Sequence, residues 1–140
     1  MSTAPHSDRT SLTPPTALIA AAEALLNRLL ALDPEGAAAL AKVQGRVLRL
    51  ELNGLGLHLH LVPEHEALRL FGDYAAEPDC NVRATPAALL RMAIAEHRED
   101  AVFGGSVAIE GDNALAQTLG DVLKGLDIDW EAQLAKLVGD

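Results

Sequence analysis

The chain has 140 residues and a mass of 14.7 kDa, which is the size of a single domain. Hydrophobic residues make up 49% of the chain and aromatic residues only 3%, so its apolar part is mostly leucine and alanine. This apolar content excludes disorder as the global state, because burying it offsets the entropy cost of folding. The net charge of -9 and a pI near 4.9 argue against nucleic-acid binding, which requires a basic surface.

Residues 1–12 contain Ser, Thr, Pro and charged side chains without an apolar stretch. They predict a disordered leader and not a secretory signal, with the folded domain over residues 13–140. The lone Cys80 excludes an internal disulfide, and no apolar stretch reaches the roughly 20 residues of a membrane-spanning helix. We therefore expect a cytoplasmic protein.

Two helices are predicted before the first strand. Thr13 can cap a helix whose first position is Pro14, where no N–H is needed, and apolar residues then recur at helical spacing. The same signal, Asp33-Pro34-Glu35, predicts a short helix that continues to about Lys42. The first helix has only a narrow polar side, so we expect it to be deeply packed or docked on an apolar surface.

Beyond these helices the period changes from 3.6 to 2, which predicts a hairpin closed by the turn Asn53-Gly54-Leu55-Gly56. The expected register sets Leu52 opposite Leu57 and places histidines on the other side of the sheet. A second turn at Pro63-Glu64-His65-Glu66 returns a third strand, Ala67 to Phe71. The three strands present one apolar surface formed by Leu48, Leu50, Leu52, Leu57, Leu59, Leu61, Leu68 and Leu70.

The second half alternates between strands and helices. Its predicted elements are a strand from Cys80 to Ala84, a helix from Thr85-Pro86 to about Glu96, a strand from Ser106 to Glu110, a helix after Gly111-Asp112-Asn113, and a last helix from Asp127 or Asp129. The fold class is therefore α+β, with about five helices packed on one face of a five-stranded, mostly antiparallel sheet.

The histidines are candidate metal ligands. His58 and His60 lie two apart on one strand face, and His65 follows in the next turn between two glutamates. The alternative is a solvated sheet face, on which the histidines meet charged residues of neighbouring strands, Arg49, Glu51 and Arg69. We favour the solvated face and expect no metal, because no ligand cluster with motif spacing accompanies the histidines.

No other group of residues forms a catalytic constellation. Cys80 is expected to face inward as a small apolar residue, because no signature pairs it with an activating histidine. Gly104, Gly105 and Gly111 lack the spacing of a phosphate-binding loop, so ordinary turns are expected there. We therefore predict that the protein is not an enzyme and uses no cofactor.

The leucine surface needs a cover, yet the predicted helices are rich in alanine and bulky aromatic side chains are scarce. Two outcomes are open from composition. Small residues either let the helices pack closely on the sheet, or leave a leucine-lined cavity for an elongated apolar ligand.

Residues 103–116, with the sequence FGGSVAIEGDNALA, and their continuation through Leu119 resemble the hallmark segment of sterol carrier protein type 2 domains. The meander over residues 45–71 and the helix after Thr85-Pro86 stand in that family's order, so the resemblance covers about residues 16–140. Within the family, residues 45–52, 72–74 and 126–131 resemble the N-terminal domain of proteobacterial ubiquinone biosynthesis accessory factors.

The resemblance implies that helices and a five-stranded sheet enclose a hydrophobic tunnel. It also implies a non-catalytic accessory factor that binds polyprenylated or other lipid intermediates of ubiquinone biosynthesis and presents them to the biosynthetic enzymes. The alternative is a protein-interaction scaffold of the same enzyme complex, which uses exposed apolar helices and has no specific ligand.

The implied partners are ubiquinone precursors or other long-chain lipids, together with other ubiquinone biosynthesis proteins. The resemblance implies that accessory factors of this kind pair with a UbiK-type protein through a C-terminal coiled coil. Residues 1–140 contain no such coiled-coil pattern, so we do not expect this pairing for the chain. Because the net charge is -9, any peripheral membrane contact would depend on apolar helix surface.

We expect the lipid to contact both the sheet and the helices. The last helix, which carries Trp130, is either a gate over the cavity or an ordinary core element, and both remain open. The expected lipid-binding residues are Leu50, Leu57, Leu59, Leu61, Leu70, Leu89, Phe103, Val107, Ile109, Leu119, Leu123, Leu126, Ile128, Trp130, Leu134 and Leu137.

Overall fold

A computed structural model describes residues 12–94 and 107–126 of the chain. Its elements confirm the α+β class. In chain order they are α1 (Thr16–Leu30), α2 (Pro34–Lys42), β1 (Leu48–Leu52), β2 (Leu57–Glu64), β3 (Ala67–Phe71), β4 (Cys80–Ala84), α3 (Pro86–Ile94), β5 (Val107–Gly111) and α4 (Asn113–Gly125). The predicted last helix, with Trp130, and the predicted site residue Phe103 lie outside the described residues.

The five strands form one sheet in the order β3-β2-β1-β4-β5. The hairpin register is confirmed, with Leu52 opposite Leu57 and Leu48 opposite Leu61. Only the pairing of β1 with β4 is parallel, and the other three pairings are antiparallel. The sheet is therefore mixed, and mostly antiparallel as predicted.

Three of the predicted helix starts are confirmed by side-chain caps. The carboxylate of Asp33 accepts a hydrogen bond from the backbone N–H of Gly36 at 3.1 Å, and that of Asp112 accepts one from Leu115 at 3.0 Å. The hydroxyl of Thr85 accepts a hydrogen bond from Ala88 at 3.1 Å. Each cap satisfies an N–H that has no partner within its own helix.

The predicted start of the first helix is wrong. The helix begins at Thr16, and Pro15, which precedes it, provides no side-chain cap. Thr13 and Pro14 each stand before a proline, and a residue in that position avoids helical geometry because it would clash with the proline ring. Leu12 instead pairs with the start of β2, where its N–H donates to the carbonyl of Gly56 at 2.7 Å.

The predicted second turn is also too long. β2 continues through Pro63 and Glu64, so the turn contains only His65 and Glu66. Leu68, which lies opposite Pro63, directs both its N–H and its carbonyl outward to the side chain of Asn27. The backbone of Pro63 therefore faces the side of β2 on which β1 lies. The pairing with β1 ends at Leu61, so the missing N–H of Pro63 leaves no carbonyl of a neighbouring strand without a donor.

Candidate functional site

The two faces of the sheet have opposite chemistry, because successive side chains of a strand point to opposite sides. We call the side toward the helices the leucine face. Helices α1 and α2 pack over β3 and β2, while α4 packs over β4 and β5. The other side, which we call the polar face, carries Arg49, Glu51, His58, His60, Asn81, Arg83 and Glu110.

On the leucine face, side chains lie in rows across the strands. One row, made of Leu70, Leu61, Leu48 and Cys80, is buried throughout. The next row, which we call the central row, consists of Leu59, Leu50, Val82 and Ile109. Only Val82 of the central row is fully buried, and the other three side chains remain partly exposed.

Several apolar side chains of the helices share this incomplete burial. They pack against the core yet remain partly exposed, and they include Ile19, Ala22 and Leu29 of α1, Leu89 of α3, and Ala116 and Leu123 of α4. Apolar surface that is neither fully buried nor polar is typical of a ligand-binding or docking site. The central row and these helix residues are therefore the candidate functional site.

The predicted lipid-binding residues divide into three groups. Those that the structure leaves partly exposed are Leu50, Leu57, Leu59, Leu89, Ile109 and Leu123. Those buried in the core are Leu61, Leu70, Val107, Leu119 and Leu126. Those outside the described residues are Phe103, Ile128, Trp130, Leu134 and Leu137. All of the first group except Leu57 belong to the candidate site, and contact of any of these residues with lipid stays a prediction.

On the polar face, the expectation of solvated histidines is wrong. His58 and His60 have only 7% and 5% of their surface exposed. The segment Leu12–Thr13 and the loop over residues 72–78 lie against this part of the sheet and line a pocket with both histidines. Both covering segments are irregular, so no periodicity in the sequence predicts where they lie. The one sequence feature that could have indicated this cover is the pair of histidines followed by the Gly72-Asp73-Tyr74 loop.

Each buried histidine has a hydrogen-bond partner in the covering loop. His58 Nε2 lies 2.9 Å from a carboxylate oxygen of Asp73, and His60 Nδ1 donates to the carbonyl of Gly72 at 3.1 Å. Burial lowers the pKa of His60, and the nearby charge of Arg49 also lowers it, which outweighs the hydrogen bond to Gly72. His60 is therefore neutral near pH 7, and its Nε2 is free of a proton and can accept a hydrogen bond.

Two arginines flank a carboxylate beside the histidines. Arg49 Nη1 donates to Glu51, and Arg83 Nε lies 2.8 Å from the other oxygen of the same carboxylate. Burial raises the pKa of Glu51, but the hydrogen bonds and charges of the two arginines outweigh it and hold the pKa below its ordinary value. Glu51 is therefore a carboxylate at neutral pH, and Arg49 is held with only 15% of its side chain exposed.

The sequence offers the histidines as candidate metal ligands and Cys80 as a candidate nucleophile. Within residues 12–94 and 107–126, no three His, Cys, Asp or Glu side chains are arranged to hold a metal ion. Cys80 faces inward as predicted, and burial raises the pKa of its thiol, with the charge of Asp112 acting in the same direction. The thiol is therefore protonated at neutral pH and packs as an apolar side chain.

The five-stranded sheet with helices packed on its leucine face defines an α+β class of domain, and comparison with known proteins identifies the family. The family model of the SCP-2 sterol transfer family matches residues 26–124. The chain therefore belongs to the SCP-2 sterol transfer family.

Individual relatives are also similar. The chain is 27% identical over 118 residues to the ubiquinone biosynthesis accessory factor UbiJ of Escherichia coli (strain K12), a match that covers 84% of this chain and 59% of the relative. The chain thus spans about three fifths of that protein's length. The protein of the same name from Salmonella typhimurium is 26% identical over 118 residues, with the same coverage of both chains.

Among solved structures, one described as a UbiJ-SCP2 ubiquinone synthesis protein superposes with a TM-score of 0.70 at 25% identity. The match covers 79% of this chain and 96% of that one. A sec-alkylsulfatase from Pseudomonas, Pisa1, contains a similar fold over 14% of its length, with a TM-score of 0.52. In the part of the chain that the structure describes, no helix is both long and apolar enough to cross a membrane.

Proposed function

We propose that this chain binds a long-chain lipid along the central row of the leucine face and serves as a non-catalytic accessory factor in ubiquinone biosynthesis. The observation that carries the proposal is the incomplete burial of Leu59, Leu50 and Ile109, although the neighbouring row of the leucine face is buried throughout. The names of the UbiJ relatives support the pathway, and the family supports the lipid class.

The central row suits an apolar chain and little else. It crosses four neighbouring strands, which is a span of roughly 14 Å at the usual strand spacing. Each methylene of a ligand buried there contributes about 0.8 kcal/mol, and the row offers no charged or hydrogen-bonding side chain. The affinity therefore rises with the length of the apolar chain, and a polyprenyl tail and an acyl chain of similar length bind about equally.

The lack of polar groups on the central row also explains how a bound lipid could be presented to biosynthetic enzymes. A ligand held by its apolar part leaves its reactive ring outside the protein, where an enzyme can reach it. We propose that the chain carries ubiquinone precursors in this way and contacts the enzymes that modify them.

The direct test is mass spectrometry of lipids that remain bound to the purified chain, combined with displacement of a fluorescent fatty acid. Ile109→Asp places a charge on the central row at the edge strand, whereas Ala108→Asp places the same charge on the next residue, which is exposed and points to the other face. We expect Ile109→Asp to lose most of the bound lipid and Ala108→Asp to retain it. If both variants bind equally, or the unaltered chain carries and accepts no lipid, the proposal is wrong.

The pathway is tested separately in bacterial cells that lack their own accessory factor. Production of this chain should raise their ubiquinone content, and Ile109→Asp should raise it less than Ala108→Asp does. If the chain binds lipid in vitro but never changes ubiquinone content, the lipid-binding part of the proposal stands and the pathway part fails.

A scaffold role has one observation in its favour. Leu18 near the start of α1 and Leu32 just after its end are 43% and 79% exposed, so both ends of this helix present an apolar side chain to solvent. Replacement of both residues by Asn should abolish copurification of biosynthetic enzymes while lipid retention stays unchanged, if the chain acts as a scaffold. Unchanged copurification would dismiss this role.

A further inference from the structure

An open cavity lies on the polar face, on the opposite side of the sheet from the proposed lipid site. It has a volume of about 470 Å³, which is within the usual range for small-molecule sites. Its lining residues are Leu12, Thr13, Arg49, His58, His60, Asp73, Tyr74, Ala76 and Pro78. Arg49 and Leu50 are consecutive and point to opposite faces, so a ligand here does not touch the central row.

Arg49 gives this cavity a positive group with hydrogen bonds to offer. The guanidinium has five N–H donors, and in the described part of the chain it makes one hydrogen bond, to Glu51. One oxygen of the Glu51 carboxylate contacts Arg49 and the other contacts Arg83, so most N–H donors of Arg49 are not bonded to Glu51. A partly buried guanidinium with spare donors matches a carboxylate, which it can hold by two parallel hydrogen bonds.

The rest of the cavity selects a flat, partly apolar molecule. One of the four aromatic side chains of the sequence, Tyr74, lines the cavity, and Phe71 packs behind it with the two ring centres 4.8 Å apart. The Tyr74 ring also lies 6.1 Å from that of His60. Leu12, Ala76 and Pro78 supply apolar walls. Inorganic phosphate would gain nothing from such walls, whereas an aromatic ring gains both stacking and apolar contact.

Two further groups set the charge and polarity of the ligand. Asp73 lines the cavity, but 85% of its side chain is exposed and it is bonded to His58, so water and salt weaken its repulsion of an anion. His60 presents Nε2 as an acceptor, which suits a ring that carries a hydroxyl or amino group. We propose that this cavity binds a small aromatic carboxylate, with its carboxylate on Arg49 and its ring against Tyr74.

The test is a titration of the full chain with benzoate at low ionic strength, followed by two-dimensional ¹H–¹⁵N spectra. We expect saturable shifts at residues 49, 58, 60 and 74, and no comparable shifts at residues 50 and 59 on the leucine face. Benzyl alcohol, which has the ring without the charge, should bind about tenfold more weakly or worse. Shifts centred on the leucine face, no saturable shift, or equal binding of benzyl alcohol would overturn the proposal.

Two arginine variants separate direct contact from the general field of positive charge. Arg49→Met and Arg83→Met each remove one partner of Glu51, but only Arg49 lines the cavity. We expect Arg49→Met to weaken benzoate binding about tenfold and Arg83→Met to change it less than twofold. Equal weakening by both variants would mean that no specific contact exists.

Two other variants cover the case in which Arg49→Met does not fold. Arg49→Lys keeps the charge but loses the paired donors, so benzoate should bind several-fold more weakly. Tyr74→Ala removes an exposed ring that the core does not need, and it should weaken benzoate while leaving lipid retention unchanged. If neither variant affects benzoate, the cavity is not its site. Because lipid retention is measured on the same samples, failure here is distinguishable from failure of the lipid proposal.

Discussion

The two faces of the sheet are built from the same strands, yet they differ in how they are covered. Regular helices cover the leucine face and leave its central row partly exposed. Irregular segments cover the histidines of the polar face and bury them almost completely. The central row is therefore more exposed than the two histidines on the opposite side of the same sheet. This difference is the one on which the lipid-binding proposal rests.

The largest effect should come from a leucine outside the central row. Leu68 is completely buried, so Leu68→Ala creates a cavity and should lower the free energy of unfolding by about 3 kcal/mol. Leu59→Ala should cost clearly less, because Leu59 is already partly exposed. Urea unfolding followed by circular dichroism measures both variants. Equal losses would show that the central row is as tightly packed as the rest of the core.

The next effect concerns the outer edge of the leucine face. The side-chain amide of Asn27 on α1 accepts a hydrogen bond from the N–H of Leu68 at 2.8 Å and donates one to its carbonyl at 3.0 Å. It thereby satisfies two backbone groups at the open edge of β3, where no further strand among the described residues pairs. Asn27→Ala leaves both backbone groups without this partner and should cost about 1–3 kcal/mol. Arg28→Ala, at the exposed neighbouring position, is the control and should change stability little. A loss no greater than that of the control would mean that water replaces the amide at no cost.

On the polar face, stability should depend on pH through His60. Because burial lowers its pKa below 6.5, the folded chain binds fewer protons than the unfolded chain as the pH falls from about 6.5 toward the lowered value. The free energy of unfolding should therefore decrease over this window. The charged or titratable groups near His60 are Arg49, His58 and Asp73.

His60→Gln should remove this component and flatten the pH dependence of unfolding. His65→Asn is the matched control, since His65 is exposed in a turn with a φ of 58°, a conformation that asparagine tolerates. The free energy of unfolding of both variants, measured between pH 5 and 8, tests this prediction. An unchanged slope in His60→Gln would assign the pH dependence to other groups.

The smallest effect should come from the loop that covers the histidines. Asp73→Asn weakens the contact with His58, but the carboxylate is 85% exposed, so the loss should stay below about 1 kcal/mol. Hydrogen exchange of the loop amides is the more sensitive measurement and should show faster exchange at residues 72–76 than in the unaltered chain. No change in exchange would mean that packing, and not this hydrogen bond, holds the loop.

The sequence by itself determined the strands, their leucine face, the hairpin register and three helix caps. These features depend on residues close together in the chain: alternation sets the face, a short turn sets the register, and a cap needs a side chain three residues before an N–H. For this reason Leu52 opposite Leu57 and the cap by Asp33 could be predicted from the sequence alone.

Only the tertiary structure decided how each face is covered. The parallel pairing of β1 with β4, the contact of Leu12 with β2 and the loop over His58 and His60 join segments that are distant in sequence. The alternation of β1 and β4 predicts strands but not which strands pair, and the segment at Leu12 and the loop carry no periodicity at all. The exposure of the central row likewise depends on how the helices cover the sheet and not on the leucines themselves.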